Sequence, residues 1–175
     1  MRTDIVLTVT GPDRIGIVEE VTRALLELEG NVETSRMARL GGEFAVLMLV
    51  SLPAERLAQL DAAFAPLVST GYKLTAGVTT PDEAARHAGW LPYVVEVKGA
   101  DHEGIVHDIA GGLARLGINI ESAETSVGAA PVSGTPLFTL SARVLVPALV
   151  AATDWIADLA SAADEANVDI EVTAV

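Results

Sequence analysis

Hydrophobic and polar positions along this chain follow two periods, and the same succession of periods is written twice. Ile5, Leu7 and Val9 recur at every second residue, which predicts a strand ending at Gly11. Val18, Val21, Leu25 and Leu28 then fall on one face of a helix. A strand is expected over about 32–40, a Gly41-Gly42 turn, and an apolar strand over 44–52. Pro53 suits the first turn of a second helix, with Leu57, Leu60, Phe64 and Leu67 as its buried stripe. Tyr72, Leu74, Ala76 and Val78 alternate as a last strand. The second half repeats the helix as Val106, Ile109, Leu113 and Leu116, and the final strand as Val168, Ile170, Val172 and Ala174. Gly30 and Gly117 read as helix-ending positions where a positive φ is tolerated.

The periodicity reflects an internal duplication. Gly11-Pro12-Asp13-Arg14-Ile15-Gly16-Ile17-Val18 reappears 88 residues later as Gly99-Ala100-Asp101-His102-Glu103-Gly104-Ile105-Val106. Residues 10–35 and 98–123 share nine identities in 26 ungapped pairs, where chance at ordinary composition gives roughly two. Phe44 and Phe138, and Pro53 and Pro147, then match at an offset of 94. The second copy therefore carries an insertion within the Gly-, Pro- and Ser-rich stretch from Gly128 to Pro136, a lengthened loop that is expected to be mobile or to cover a site. The reading is βαββαβ twice: an α+β protein with two ferredoxin-like domains, each an antiparallel sheet with its helices on one face. Domain one covers 1–80, a polar linker 81–90 with a helical turn over 82–86, and domain two 91–175. Trp90 and Trp155 are placed at core edges.

Composition narrows the chemistry. The chain has 175 residues, half of them hydrophobic and 20% charged, which excludes disorder; aromatics are only 4%, so the cores are aliphatic. The net charge is −13, distributed as −3 over 1–80 and −10 over 81–175. A protein that neutralises phosphates needs the opposite sign, so direct nucleic-acid binding is not expected. There is no cysteine, which removes disulfides, thiolate catalysis and iron–sulfur ligation. His102 and His107, with Asp101, Glu103 and Asp108, hint at a metal cluster, but a five-residue spacing misplaces the two imidazoles on a helix. No Ser–His or paired-carboxylate arrangement suggests an enzyme, and no cofactor is implied. Met1-Arg2-Thr3-Asp4 enters a strand pattern with no signal peptide, and no apolar stretch approaches the roughly 20 residues a bilayer demands, so a cytoplasmic location without membrane contact is expected.

The motif at 11–18, followed by Gly30-Asn31-Val32 at the start of the second strand, resembles the amino-acid-binding ACT domain, and both copies fit it. That resemblance implies an effector held between the first strand–helix loop of one domain and a neighbouring domain. It implies Asp13 and Asp101 as acceptors of an amino-acid ammonium, and Asn31 and Asn119 as amide contacts. Gly16 and Gly104 then allow close backbone approach, with Ile17 and Ile105 beside them. The physics agrees, because amides at a helix start attract a carboxylate and an adjacent Asp accepts an ammonium. Plainer roles compete: Asp13 as a helix N-cap, Asn31 as the stabiliser of a turn. Arg14 and His102 occupy the same loop position, so either the two sites are not equivalent or the surface has drifted.

These readings together imply a cytoplasmic regulatory protein, not an enzyme. It would bind a small amino acid and act, as a homodimer, on a protein partner such as a transcription regulator or an enzyme. The rival is a ligand-free ACT scaffold used for dimerisation or docking.

Overall fold

The computed structural model describes residues 1–129 and 134–175, and the chain forms two compact units, Met1–Arg86 and His87–Val175. In the first, β1 (Arg2–Pro12) leads through a short loop into α1 (Ile17–Glu27). Then come β2 (Asn31–Leu40), β3 (Glu43–Pro53), a 3-10 turn (Ala54–Gln59), α2 (Leu60–Ser69), β4 (Lys73–Val78) and the short α3 (Pro81–Ala84). The second unit runs β5 (Leu91–Ala100), α4 (Ile105–Arg115), β6 (Asn119–Ala129), β7 (Pro136–Val146), the one-turn α5 (Ala148–Ala151), α6 (Trp155–Glu165) and β8 (Val168–Ala174). Strand orders are β2-β3-β1-β4 and β6-β7-β5-β8, with antiparallel neighbours throughout. Each unit is the ferredoxin-like arrangement that the periodicity predicts. The centre of the Gly128–Pro136 loop, residues 130–133, lies outside the described residues.

Period-two and period-3.6 stripes meet in each core. Ile5, Leu7 and Val9 of β1 and Phe44, Val46, Met48, Val50 and Leu52 of β3 point to one sheet face, where Ile17, Val21 and Leu25 of α1 and Phe64 and Leu67 of α2 cover them. In the second unit Val95, Val97, Leu140, Val144 and Val146 meet Ile109 and Leu113 of α4 and Leu159 of α6. Complete burial of such a side chain contributes about 1.5–3 kcal/mol each, so helix docking and sheet formation support one another. The predicted turn holds: Gly41 and Gly42 take φ of 59° and 89°, the positive values a two-residue hairpin requires.

Four local expectations are corrected. Pro53 closes β3 and precedes the 3-10 turn, so α2 begins only at Leu60 and the predicted helix is split. The helical turn of the connector spans Pro81–Ala84, started by a capping box between Thr80 and Glu83. Trp155 is fully buried, with its ring edge-on to Tyr93 at 5.2 Å, so it fills the second core instead of its margin. Gly30 does not supply the positive φ after α1. Glu29 does, at 56°, in the position that Gly117 occupies in the second copy at 70°. Gly30 instead lies close against α1, where a Cβ would stand 3.0 Å from the Leu25 carbonyl oxygen; the second copy accommodates the buried Ile118 at the matching position.

Candidate functional site

The duplicated motif forms the loop between the first strand and first helix of each unit. In both copies the helix N-cap is a glycine in left-handed conformation, Gly16 at φ 91° and Gly104 at φ 100°, and no side chain caps the helix start. The first-turn amides, which have no intrahelical partner, are left with no side-chain acceptor, and the positive end of the helix dipole faces outward. Asp13 is therefore not the N-cap that sequence reasoning weighed. Its backbone amide donates to the Gly42 carbonyl at 2.9 Å, which pins the loop to the β2–β3 hairpin, and Asp101 does the same to Pro136 at 3.1 Å. Ile17 and Ile105 bury their side chains in the cores, so only their backbone is available to a ligand.

Around this shared frame the two copies differ. In the first, Arg39 of β2 approaches Asp13 with Nε 2.7 Å from Oδ2. Val127 takes the equivalent strand position in the second, because Arg39 pairs with Phe44 and Val127 with Phe138. Asp101 accordingly has no ion-pair partner among the described residues. Arg14 grips Glu20 through two bonds of 2.6 and 2.7 Å, and its guanidinium lies 5.5 Å from the centre of the Tyr72 ring. The hydrogen bonds to Glu20 raise the Arg14 pKa, and the same contact holds the Glu20 carboxyl below its usual range. His102, at the Arg14 position, instead brings Nδ1 to 2.9 Å from the Glu103 carbonyl oxygen and Nε2 to 2.8 Å from that of Ala166.

The asparagines lie elsewhere. Asn31 pairs with Ser51, which pairs with Asp4 near the start of β1, whereas Asp13 follows the end of that strand. About eight residues of strand, roughly 26 Å, separate the two within one copy. The same holds for Asn119, which reaches Pro92 through Leu145, and for Asp101 beyond Ala100. Within one copy, therefore, a single amino acid cannot touch both residue types. Asn31 donates from Nδ2 to Glu33 Oε1 at 2.7 Å, and Glu33 is the extra residue of a β-bulge that recurs at Glu121. Each acid has a polar partner, Asn31 for Glu33 and, at 2.7 Å, Arg143 for Glu121. Sequence reasoning missed Arg39, Glu20 and Tyr72. The shared acid at Glu20 and Asp108 was a usable signal for Glu20, while Arg39 and Tyr72 had none before strand register was known.

Residues 3–69 match the family model described as the ACT domain. Both units have its four-stranded βαββαβ fold. The first unit thus carries a match to the ACT-domain family, over about two fifths of the chain. A crystal structure of an unknown protein from Galdieria sulphuraria is similar along the whole length, with a TM-score of 0.80, 33% identity, and coverage of 100% of this chain and 99% of that one. A second, assigned as a glycine cleavage system transcriptional repressor, superposes with a TM-score of 0.70 over 100% of this chain and 98% of its own; at 22% identity it shows the shared tandem ACT fold. The glycine cleavage system transcriptional repressor of Escherichia coli (strain K12) is 47% identical over 47 residues, 27% of this chain. The matched stretch spans about a quarter of the length of that curated relative. No helix among the described residues of this chain is long and apolar enough to cross a membrane.

Proposed function

We propose that this ACT protein is a cytoplasmic, non-enzymatic regulator that binds a small amino acid at an interface between ACT domains. It then acts, as a homodimer, on a protein partner in amino-acid metabolism, a transcription regulator or an enzyme. The observation that carries the reading is the repeated pairing of an uncapped helix start, at Gly16 and Gly104, with an aspartate in the same loop. Helix-start amides suit a carboxylate and the aspartate suits an ammonium, so a zwitterion satisfies both. Asp101 is the stronger ammonium acceptor of the two, because Asp13 is already neutralised by Arg39. The names of the relatives make glycine the first amino acid to test. Contact with DNA is indirect, since a net charge of −13 repels phosphate.

Thermal melts of the full chain with each of the twenty amino acids, followed by calorimetry on any that stabilises it, test this directly. Asp101→Ala removes a charge-assisted bond of about 1.5–3 kcal/mol and should weaken binding roughly ten- to hundred-fold. The engaged Asp13 carboxylate favours the alternative for the first copy, a scaffold without ligand. No melting shift with any amino acid would extend that alternative to the whole chain.

A further inference from the structure

We infer that His102 is a proton-operated latch that fastens the β5–α4 loop to the C-terminal end of α6, a device built into the second unit and absent from the first. Both ring nitrogens face backbone carbonyl oxygens, Glu103 at 2.9 Å and Ala166 at 2.8 Å. A carbonyl only accepts, so each nitrogen has to donate. Neutral imidazole carries one N–H, and the imidazolium carries two. The observed geometry is therefore that of the charged ring; on deprotonation one of the two contacts becomes lone pair against lone pair.

The surroundings favour the cation. The Ala166 carbonyl belongs to the C-cap of α6, where the helix dipole is negative. The charged groups facing the ring are Asp101 from the loop and Asp108 from the first turn of α4. From α6 it meets a backbone carbonyl, and Asp164 and Glu165 stand on the turn before it. The bonds to Glu103 and Ala166, foremost, raise the His102 pKa above its ordinary value. The latch stabilises the folded loop fully below the ordinary histidine pKa of about 6.5, and this stabilisation is lost as pH rises through the higher folded value.

The first copy shows what the histidine replaces. Arg14 stands at the same loop position, grips Glu20 through two bonds and stays charged at any physiological pH. One duplicated position thus holds a permanent fastening in one copy and a titrating one in the other. Because Asp101 and Gly104 flank His102, opening the latch loosens the loop that carries the proposed ammonium acceptor, but the latch itself does not depend on any ligand.

The experiment is ¹⁵N NMR of the full chain across pH 5 to 9, reading the imidazole nitrogens of His102 and the amide exchange of residues 101–104 and 166–168, corrected for intrinsic rates. The latch requires a titration midpoint above about 6.5, protonation of both nitrogens below it, and exchange in both segments that speeds up as pH passes the midpoint. His102→Gln, with one donor group in place of two, should lose that pH dependence. His102→Arg, a permanent cation, should keep exchange slow throughout. A midpoint at or below 6.5, or a wild-type exchange profile in His102→Gln, overturns the proposal. Should His102→Gln fail to fold, the wild-type titration and the arginine variant still decide it.

Discussion

Replacing Gly11 by alanine tests how the motif is held from beneath. Gly11 lies near the end of β1 against the ring of Tyr72, and a Cβ there would stand 2.5 Å from Cδ1 and 2.9 Å from Cγ and Cε1. Carbon atoms pack at about 3.5–4.0 Å, so the overlap is close to 1 Å. The ring has no room to withdraw. It is 3% exposed, its hydroxyl donates to the Pro12 carbonyl beside Gly11, and Arg14 lies over its face. Two effects then oppose each other. Restricting the unfolded chain stabilises by about 0.4–1 kcal/mol where the native backbone tolerates alanine. Overpacking of a filled site costs about 1–3 kcal/mol, and with the ring pinned on three sides it wins. At about 4–8 °C per kcal/mol for a domain of this size, the first unit should melt several degrees lower. Calorimetry of the full chain reads the loss, and tryptophan fluorescence, which reports only Trp90 and Trp155 of the second unit, separates it from that unit. The same change in a Tyr72→Ala background should be nearly silent, which makes the pair a double-mutant cycle. Wild-type stability in Gly11→Ala, or an equal penalty without the Tyr72 ring, would refute the reasoning.

Other substitutions read other parts of the argument. Asp13→Ala should change stability by less than about 1 kcal/mol in urea unfolding, because its pairing with Arg39 is at the surface and it caps nothing. Gly16→Ala should destabilise the first unit by about 1–2 kcal/mol through backbone strain alone, since φ is 91° and nothing lies within 4 Å of the added methyl; Gly16→Asn should lose less. Phe64→Ala removes a fully buried ring and should cost about 3–5 kcal/mol, seen as a lower melting temperature of the first unit with Trp155 fluorescence unmoved. Purified protein should give no salt-sensitive nanomolar gel shift with DNA, as its net charge of −13 demands.

Fold and duplication were legible in the residues because both are local and periodic. The spacing of Val18, Val21, Leu25 and Leu28 marks a helix face wherever the chain goes, and the recurrence of the Gly11–Val18 motif at Gly99 needs only comparison of the chain with itself. Short-range backbone detail was less legible. Glu29 adopts a positive φ beside a glycine that does not, and Gly117 takes the same place in the second copy, so the position of the glycine does not mark the residue that turns the chain.

The site was legible in its residue types but not in its partnerships. Asp13, Asp101, Asn31 and Asn119 repeat together, yet strand register sets each aspartate and asparagine at opposite ends of the sheet, about 26 Å apart at strand rise. Arg39 reaches Asp13 only because the hairpin folds β2 back beside the loop, and Ala166 reaches His102 through a backbone atom that leaves no trace in a side-chain pattern. Periodicity depends on neighbours a few residues away, so the sequence determined the elements, their order and their duplication. Charges and hydrogen bonds depend on which distant atoms the packing brings within 3 Å, so only the tertiary structure decided that one loop is held by arginine and the other by a proton.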